Sequence, residues 1–186
     1  MIAQSEPAAT LDDLMRVEGR AELVGVRIIH IPLHGFLPGR VELRVLRSLE
    51  DDTETRIGEA FTGGIVYAID PALPSGRQSF SPDVSFFTGP LPTNLMKFIN
   101  GAPTFAVEVR SENDYGPAKE TEHAEKRKDY FAAGTLVVWD VDPVNETVTV
   151  YTSADPLAPT VFRRGETADA EPAVPGWRLA VDALFA

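Results

Sequence analysis

Residues 104–141 read TFAVEVRSENDYGPAKETEHAEKRKDYFAAGTLVVWDV, and this stretch decides the fold. Thr104–Arg110 (TFAVEVR) is the most apolar strand candidate in the chain, interrupted by one carboxylate, Glu108. The next segment predicts a helix from about Pro117 to Ala133. Proline suits a first helical turn, Glu120 and Glu122 lie near the positive end of the helix dipole, and Gly134 can close it. Thr135–Val141 (TLVVWDV) then reads as a buried strand, and Thr147–Thr152 (TVTVYT) pairs with it across the turn Asp142–Glu146 (DPVNE). A strand, helix and strand in this order predict a crossover into a mixed sheet with the helix packed on it. The class is α/β.

Outward from this unit the signals weaken. A short helical stretch is expected around Leu11–Glu18. Glu22–His30, Val41–Leu49 and Gly64–Ile69 mix β-branched with polar residues and read as strands of a curved antiparallel sheet. Turns fall at His34-Gly35, Pro38-Gly39 and Gly63-Gly64. Asp70–Gln78 reads as a loop, and Val84–Phe87 as a short strand entered through Pro82-Asp83. Thr88–Pro103, with three prolines, reads as a second loop, and Trp177–Phe185 as a further strand or short helix.

The 186 residues suit one compact domain spanning 1–186. A hydrophobic fraction of 44% with 24% charged residues excludes a mainly disordered chain. No apolar run approaches the roughly 20 residues that span a bilayer, and MIAQSEPAATLDD lacks the layout of a secretory signal. The absence of cysteine excludes disulfides, thiolate metal sites and cysteine nucleophiles, and a cytoplasmic location is expected. The net charge of −11 repels polyanions at long range, so a nucleic-acid binder would need a local basic patch or metal ions, and composition alone argues mildly against DNA. Residues 1–100 hold 13 acids and 9 bases (net −4), and residues 101–186 hold 15 and 8 (net −7), so neither half is a basic module.

Three features carry chemistry. Alternation along the strand puts Ala106, Glu108 and Arg110 on one face and Phe105, Val107 and Val109 on the other. A carboxylate in so apolar a strand needs compensation, by a metal ion or by a cation such as Arg110. Asp83, at the entry of a neighbouring short strand, would complete a site for a hard cation, although Pro-Asp is also an ordinary turn opener. On the helix, Lys119, His123, Lys126 and Tyr130 form one stripe. Facing the sheet, it would bring Lys126 toward Glu108 with Tyr130 as anchor; facing water, it is a solvated charged face. His30 and His34 lie four apart with Pro32 between them; in an extended stretch they share one face and a metal is one reading, two loop histidines the favoured one. No phosphate-binding P-loop or serine nucleophile elbow is present.

The order of these residues resembles a family. Arg20–Gly25 (RAELVG), Pro82-Asp83, Glu108-Val109-x-Ser111, Lys126-x-x-x-Tyr130, Gly134, Trp139, Asp142-Pro143 and the closing Val174–Phe185 are similar to the Uma-two family of putative restriction endonucleases (domain of unknown function eight-twenty). That family belongs to the PD-(D/E)XK nuclease superfamily. The resemblance implies a restriction-endonuclease-like core, a mixed curved sheet with a packed crossover helix and an N-terminal β extension. It implies Mg²⁺, with Mn²⁺ as a substitute, on Asp83 and Glu108, and catalytic roles for Asp83, Glu108, Lys126 and Glu22. The lysine that usually stands two residues after the second acid is replaced here by Arg110 and displaced to Lys126. Arg110, Ser111 and Tyr130 become candidates for substrate contact.

The implied reaction is metal-dependent hydrolysis of DNA phosphodiester bonds by a homodimer, with Lys126 in an electrostatic role. Two other readings stand beside it. One is an inert, dimeric binding module of the same fold, its Glu108 neutralised by Arg110. The other is a hydrolase of small phosphodiesters, which suits an acidic surface better.

Overall fold

The computed structural model describes residues 8–52 and 57–186. Its centre is a mixed six-stranded sheet. β8 (Phe105–Val109) and β9 (Val137–Asp142) run parallel in the middle, joined by the crossover helix α3 (Pro117–Ala133). Pro117 opens α3, and Gly134 ends it at φ 107°, its N–H donating to the carbonyls of Phe131 and Tyr130. A left-handed backbone at this point is accessible to glycine without steric cost. β10 (Thr147–Thr152) and β11 (Asp155–Phe162) extend the sheet antiparallel on the β9 side. β6 (Val84–Phe87) and β3 (Glu59–Thr62) extend it on the β8 side.

Both faces of this sheet are covered, so its central strands are apolar on both sides. Phe105, Val107, Val109, Val137, Trp139 and Val141 form one core with Val41, Val45 and Leu49 of α2 (Phe36–Asp51). The C-terminal β13 (Arg178–Ala180) and α4 (Val181–Phe185) close this side with Leu179, Leu184 and the preceding Trp177. Ala106 and Val138 look the other way, toward Tyr130 of α3. The N-terminal α1 (Leu11–Leu14) and the hairpin β1 (Ala21–Val24) and β2 (Arg27–His30) form a separate small core through Leu14, Ala21 and Leu23. A small sheet of β4 (Tyr67–Ala68), β5 (Ser79–Phe80) and β7 (Ile99–Asn100) lies between them in sequence, and β12 (Thr167–Asp169) pairs with β13.

The central unit and the strand Val84–Phe87 match their sequence expectation, and most of the N-terminal half before them does not. Val41–Leu49 is helical, part of α2. Its β-branched residues suggested a strand, but Val41, Val45 and Leu49 recur every four residues and all three are buried. Pro38-Gly39 is accordingly no turn: Pro38 sits in the first turn of α2, where no intrahelical donor is lost. Glu22–His30 is a hairpin of its own and Gly64–Ile69 contributes only Tyr67–Ala68, so these segments do not share one sheet. The helix expected over Leu11–Glu18 ends at Leu14, and the loop Thr88–Pro103 contains β7. β3, β5, β11 and β12 were not anticipated.

Candidate active site

The site lies where apolar cover gives way to charge on the α3 face of the sheet. Along β8, Glu108 continues the row begun by Ala106, and the parallel register sets it beside Asp140 on β9. Tyr130 packs on the apolar part of that face. Lys126, one helical turn earlier on the same side of α3, meets the carboxylate. Asp83 arrives from the opposite neighbour. Its backbone N–H donates to the Val107 carbonyl at 3.1 Å, and its Oδ2 accepts the Val109 N–H at 2.7 Å. Asp83 and Glu108 are therefore tied to the same end of one strand.

The cations are arranged around them. Lys126 Nζ lies 2.9 Å from Glu108 Oε1 and 3.0 Å from Glu22 Oε1. The Tyr130 hydroxyl donates to Glu108 Oε1 at 2.6 Å. Glu22, on β1, also accepts the Ser81 N–H at 2.9 Å and pairs with Arg77 Nη1 at 2.5 Å. Arg77 Nε in turn donates to Asp129 of α3 at 2.9 Å, fastening the N-terminal hairpin to the helix that carries Lys126. Arg20 Nη2 donates to Asp83 Oδ1 at 2.9 Å. Glu22, Arg77, Asp83, Glu108, Lys126 and Tyr130 line a cleft of about 980 Å³.

Burial and charge set the protonation states. Burial pushes the Asp83 carboxyl up, and although Arg20, His34 and the Val109 N–H oppose this, it remains above its ordinary value. Glu108 is likewise raised by burial, against the pull of Lys126 and with the repulsion of Asp83 and Glu22 added. Burial would raise Glu22 too, but Lys126 and Arg77 outweigh it and hold that carboxyl low. Burial works against the Lys126 ammonium, yet Glu108 and Glu22 raise its pKa above the usual lysine range. Lys126 is thus a fixed cation, unsuited to act as a base.

Arg110 and Ser111 line the same cleft with their polar atoms engaged elsewhere. Arg110 grips Asp140 with two bonds, Nε at 2.7 Å and Nη2 at 2.8 Å, and also pairs with Glu120. It does not pair with Glu108, so the neutralisation on which the inert-module reading rested is not the arrangement found. Ser111 donates to Asp114 Oδ2 at 2.6 Å. His123 lies 3.9 Å from Asp114 and 4.0 Å from Asp140, and Lys119 pairs with Glu122.

Sequence reasoning missed Arg20, Arg77 and the pair His34–Glu42. His34 precedes α2, and its Nδ1 bonds the Glu42 carboxylate. Reading Val41–Leu49 as a strand hid that pair, whereas a helical reading would have set His34 ahead of a helix with Glu42 in its second turn. Arg20 and Arg77 gave no local signal, because their partners are distant in sequence.

The family model for Uma2, described as putative restriction endonuclease, matches residues 9–182. The chain belongs to the Uma2 family. A solved structure with the same fold is described as a putative nuclease belonging to DUF820 from Anabaena variabilis. It is 21% identical with a TM-score of 0.71, and the match covers 95% of the present Uma2 chain and 97% of the other. No curated protein matches the chain. Membership in a family of putative restriction endonucleases supports a nuclease, and among the described residues of this Uma2 chain no helix is long and apolar enough to cross a membrane.

Proposed function

We propose that this chain is a metal-dependent endonuclease that hydrolyses DNA phosphodiester bonds, acting as one domain over 1–186 and as a homodimer. One observation carries the reading: Lys126 bridges Glu108 and Glu22 at the floor of a cleft in which Asp83 is tied to the same strand end as Glu108. A buried carboxylate, Asp83, and a half-buried one, Glu108, at the same strand end form a hard oxygen donor set that suits Mg²⁺ or Mn²⁺. A divalent ion on Asp83 and Glu108 would polarise the scissile phosphate and acidify a bound water.

The chain's own groups do the rest. Lys126 holds a positive charge against the oxygens that gain negative charge in the transition state. Tyr130 orients Glu108 through its hydrogen bond, and Glu22 with Arg77 fixes the ammonium in place. Arg27 and Lys128 line the cleft, exposed and without an ion pair among the described residues, and suit backbone phosphates on an otherwise acidic protein.

The test is calorimetry of Mg²⁺ binding with plasmid nicking in parallel. Asp83→Asn is expected to abolish binding and lower nicking by about 100-fold or more. Lys126→Met should keep metal binding and lose nicking to a similar degree. Metal binding by wild type with no nicking would redirect the assignment to small phosphodiesters, and absence of both would favour an inert module.

A further inference from the structure

We propose that His34 Nε2 and Asp83 form a second cation position of mixed nitrogen and oxygen donors, with Glu42 orienting the imidazole through Nδ1, and that this position shares Asp83 with the metal position above and prefers Mn²⁺ to Mg²⁺. The inference rests on the reading of Asp83 as a metal ligand and adds His34, which precedes α2, and Glu42 of α2. One ligand atom from each of the three lies within 4.8 Å of the others. The His34, Glu42 and Asp83 side chains are only 13%, 16% and 5% exposed.

The spacing points to a ligand. His34 Nε2 is 3.6 Å from Asp83 Oδ1, too long for a hydrogen bond. Two donors each about 2.1 Å from one ion stand roughly 3–4.2 Å apart, depending on the angle between them. Asp83 does not need the imidazole for its own satisfaction, since Arg20 and the Val109 N–H already supply both of its oxygens. His34 and Asp83 both line the open cleft, which gives an ion a path inward. Arg20 shares Oδ1 and must tilt or leave the oxygen's remaining lone pair to the ion.

The donor set decides the metal. Mg²⁺ takes oxygen ligands and gives up water reluctantly. An imidazole nitrogen beside a carboxylate instead favours a first-row transition ion. The Asp83–Glu108 position offers oxygen alone, so the two positions differ in selectivity although they share a ligand.

Pulsed electron paramagnetic resonance of Mn²⁺ bound to the full chain tests this, with calorimetry of Mn²⁺ and Mg²⁺. Bound Mn²⁺ is expected to show coupling to a directly bonded nitrogen, which His34→Gln removes and His123→Gln retains. His34→Gln should also weaken Mn²⁺ about tenfold or more while changing Mg²⁺ little. Mn²⁺ bound without nitrogen coupling, or bound to His34→Gln as tightly as to wild type, overturns the site; if Asp83→Asn still abolishes binding, the nuclease reading survives. Nitrogen coupling with no nicking keeps the site and removes the nuclease reading. A wild type that binds neither ion removes both.

Discussion

The Tyr130 ring is fully buried and stacked on Phe80, with centroids 4.2 Å apart, while its hydroxyl reaches Glu108. Packing and polarity are thus separable at this residue. Tyr130→Phe keeps the stack and deletes only a hydrogen bond to a charged acceptor. It is expected to lower the unfolding free energy by about 1–2 kcal/mol in urea denaturation, since Lys126 still pairs with Glu108. The residues of this cluster were visible in sequence to different degrees. Glu108 stood out because a carboxylate inside TFAVEVR demands an explanation, and Lys126 and Tyr130 because their spacing fits one helix face. Arg20, Arg77 and the partnership of His34 with Glu42 did not, because a cation or imidazole gains meaning only from a partner that folding brings near.

Among the elements, the β9–β10 hairpin shows how one carboxylate can hold a turn. Asp142 accepts the backbone N–H groups of Val144 at 2.9 Å and Asn145 at 3.0 Å, the Asn145 side-chain amide at 2.7 Å, and the Tyr115 hydroxyl at 2.9 Å. Burial tends to raise this carboxyl, but the bonds from Asn145, Tyr115 and Val144 prevail and hold it below its ordinary value. A depressed folded-state pKa favours the folded chain above the unfolded value of about 3.9, and that stability is lost as pH falls through the folded value. Asp142→Asn sets an amide against the Asn145 amide and is expected to cost about 1–2 kcal/mol at pH 7. In denaturation series the difference between variant and wild type should shrink at acid pH. The Asp-Pro turn was legible in sequence. α2 was not, because its β-branched residues satisfy a strand's composition and only their burial every fourth residue reveals the helix.

Across the whole molecule, the C-terminal segment closes the core that α2 and the sheet begin. Trp177 is fully buried, its ring 5.1 Å from Trp139 and 5.8 Å from Phe105, and its Nε1 donates to Ser48 Oγ of α2 at 3.1 Å. Trp177→Ala is expected to destabilise the chain by about 3–5 kcal/mol, read from the urea midpoint. Metal affinity below the transition should be unchanged, because the cleft lies on the other face of the sheet. The sequence by itself determined the central β8–α3–β9 unit, the family, and which acids and lysine to examine. Those signals are local, carried by periodicity, capping residues and the oddity of a charge in an apolar run. Only the tertiary structure decided that Arg110 serves Asp140 rather than Glu108, that Arg77 locks Glu22 to α3, and that His34 and Glu42 stand beside Asp83. Ion pairing in a buried cleft depends on angstrom-scale placement by elements far apart in the chain. Several neighbouring partners of equal charge are available to each group, and spacing along the sequence does not choose among them.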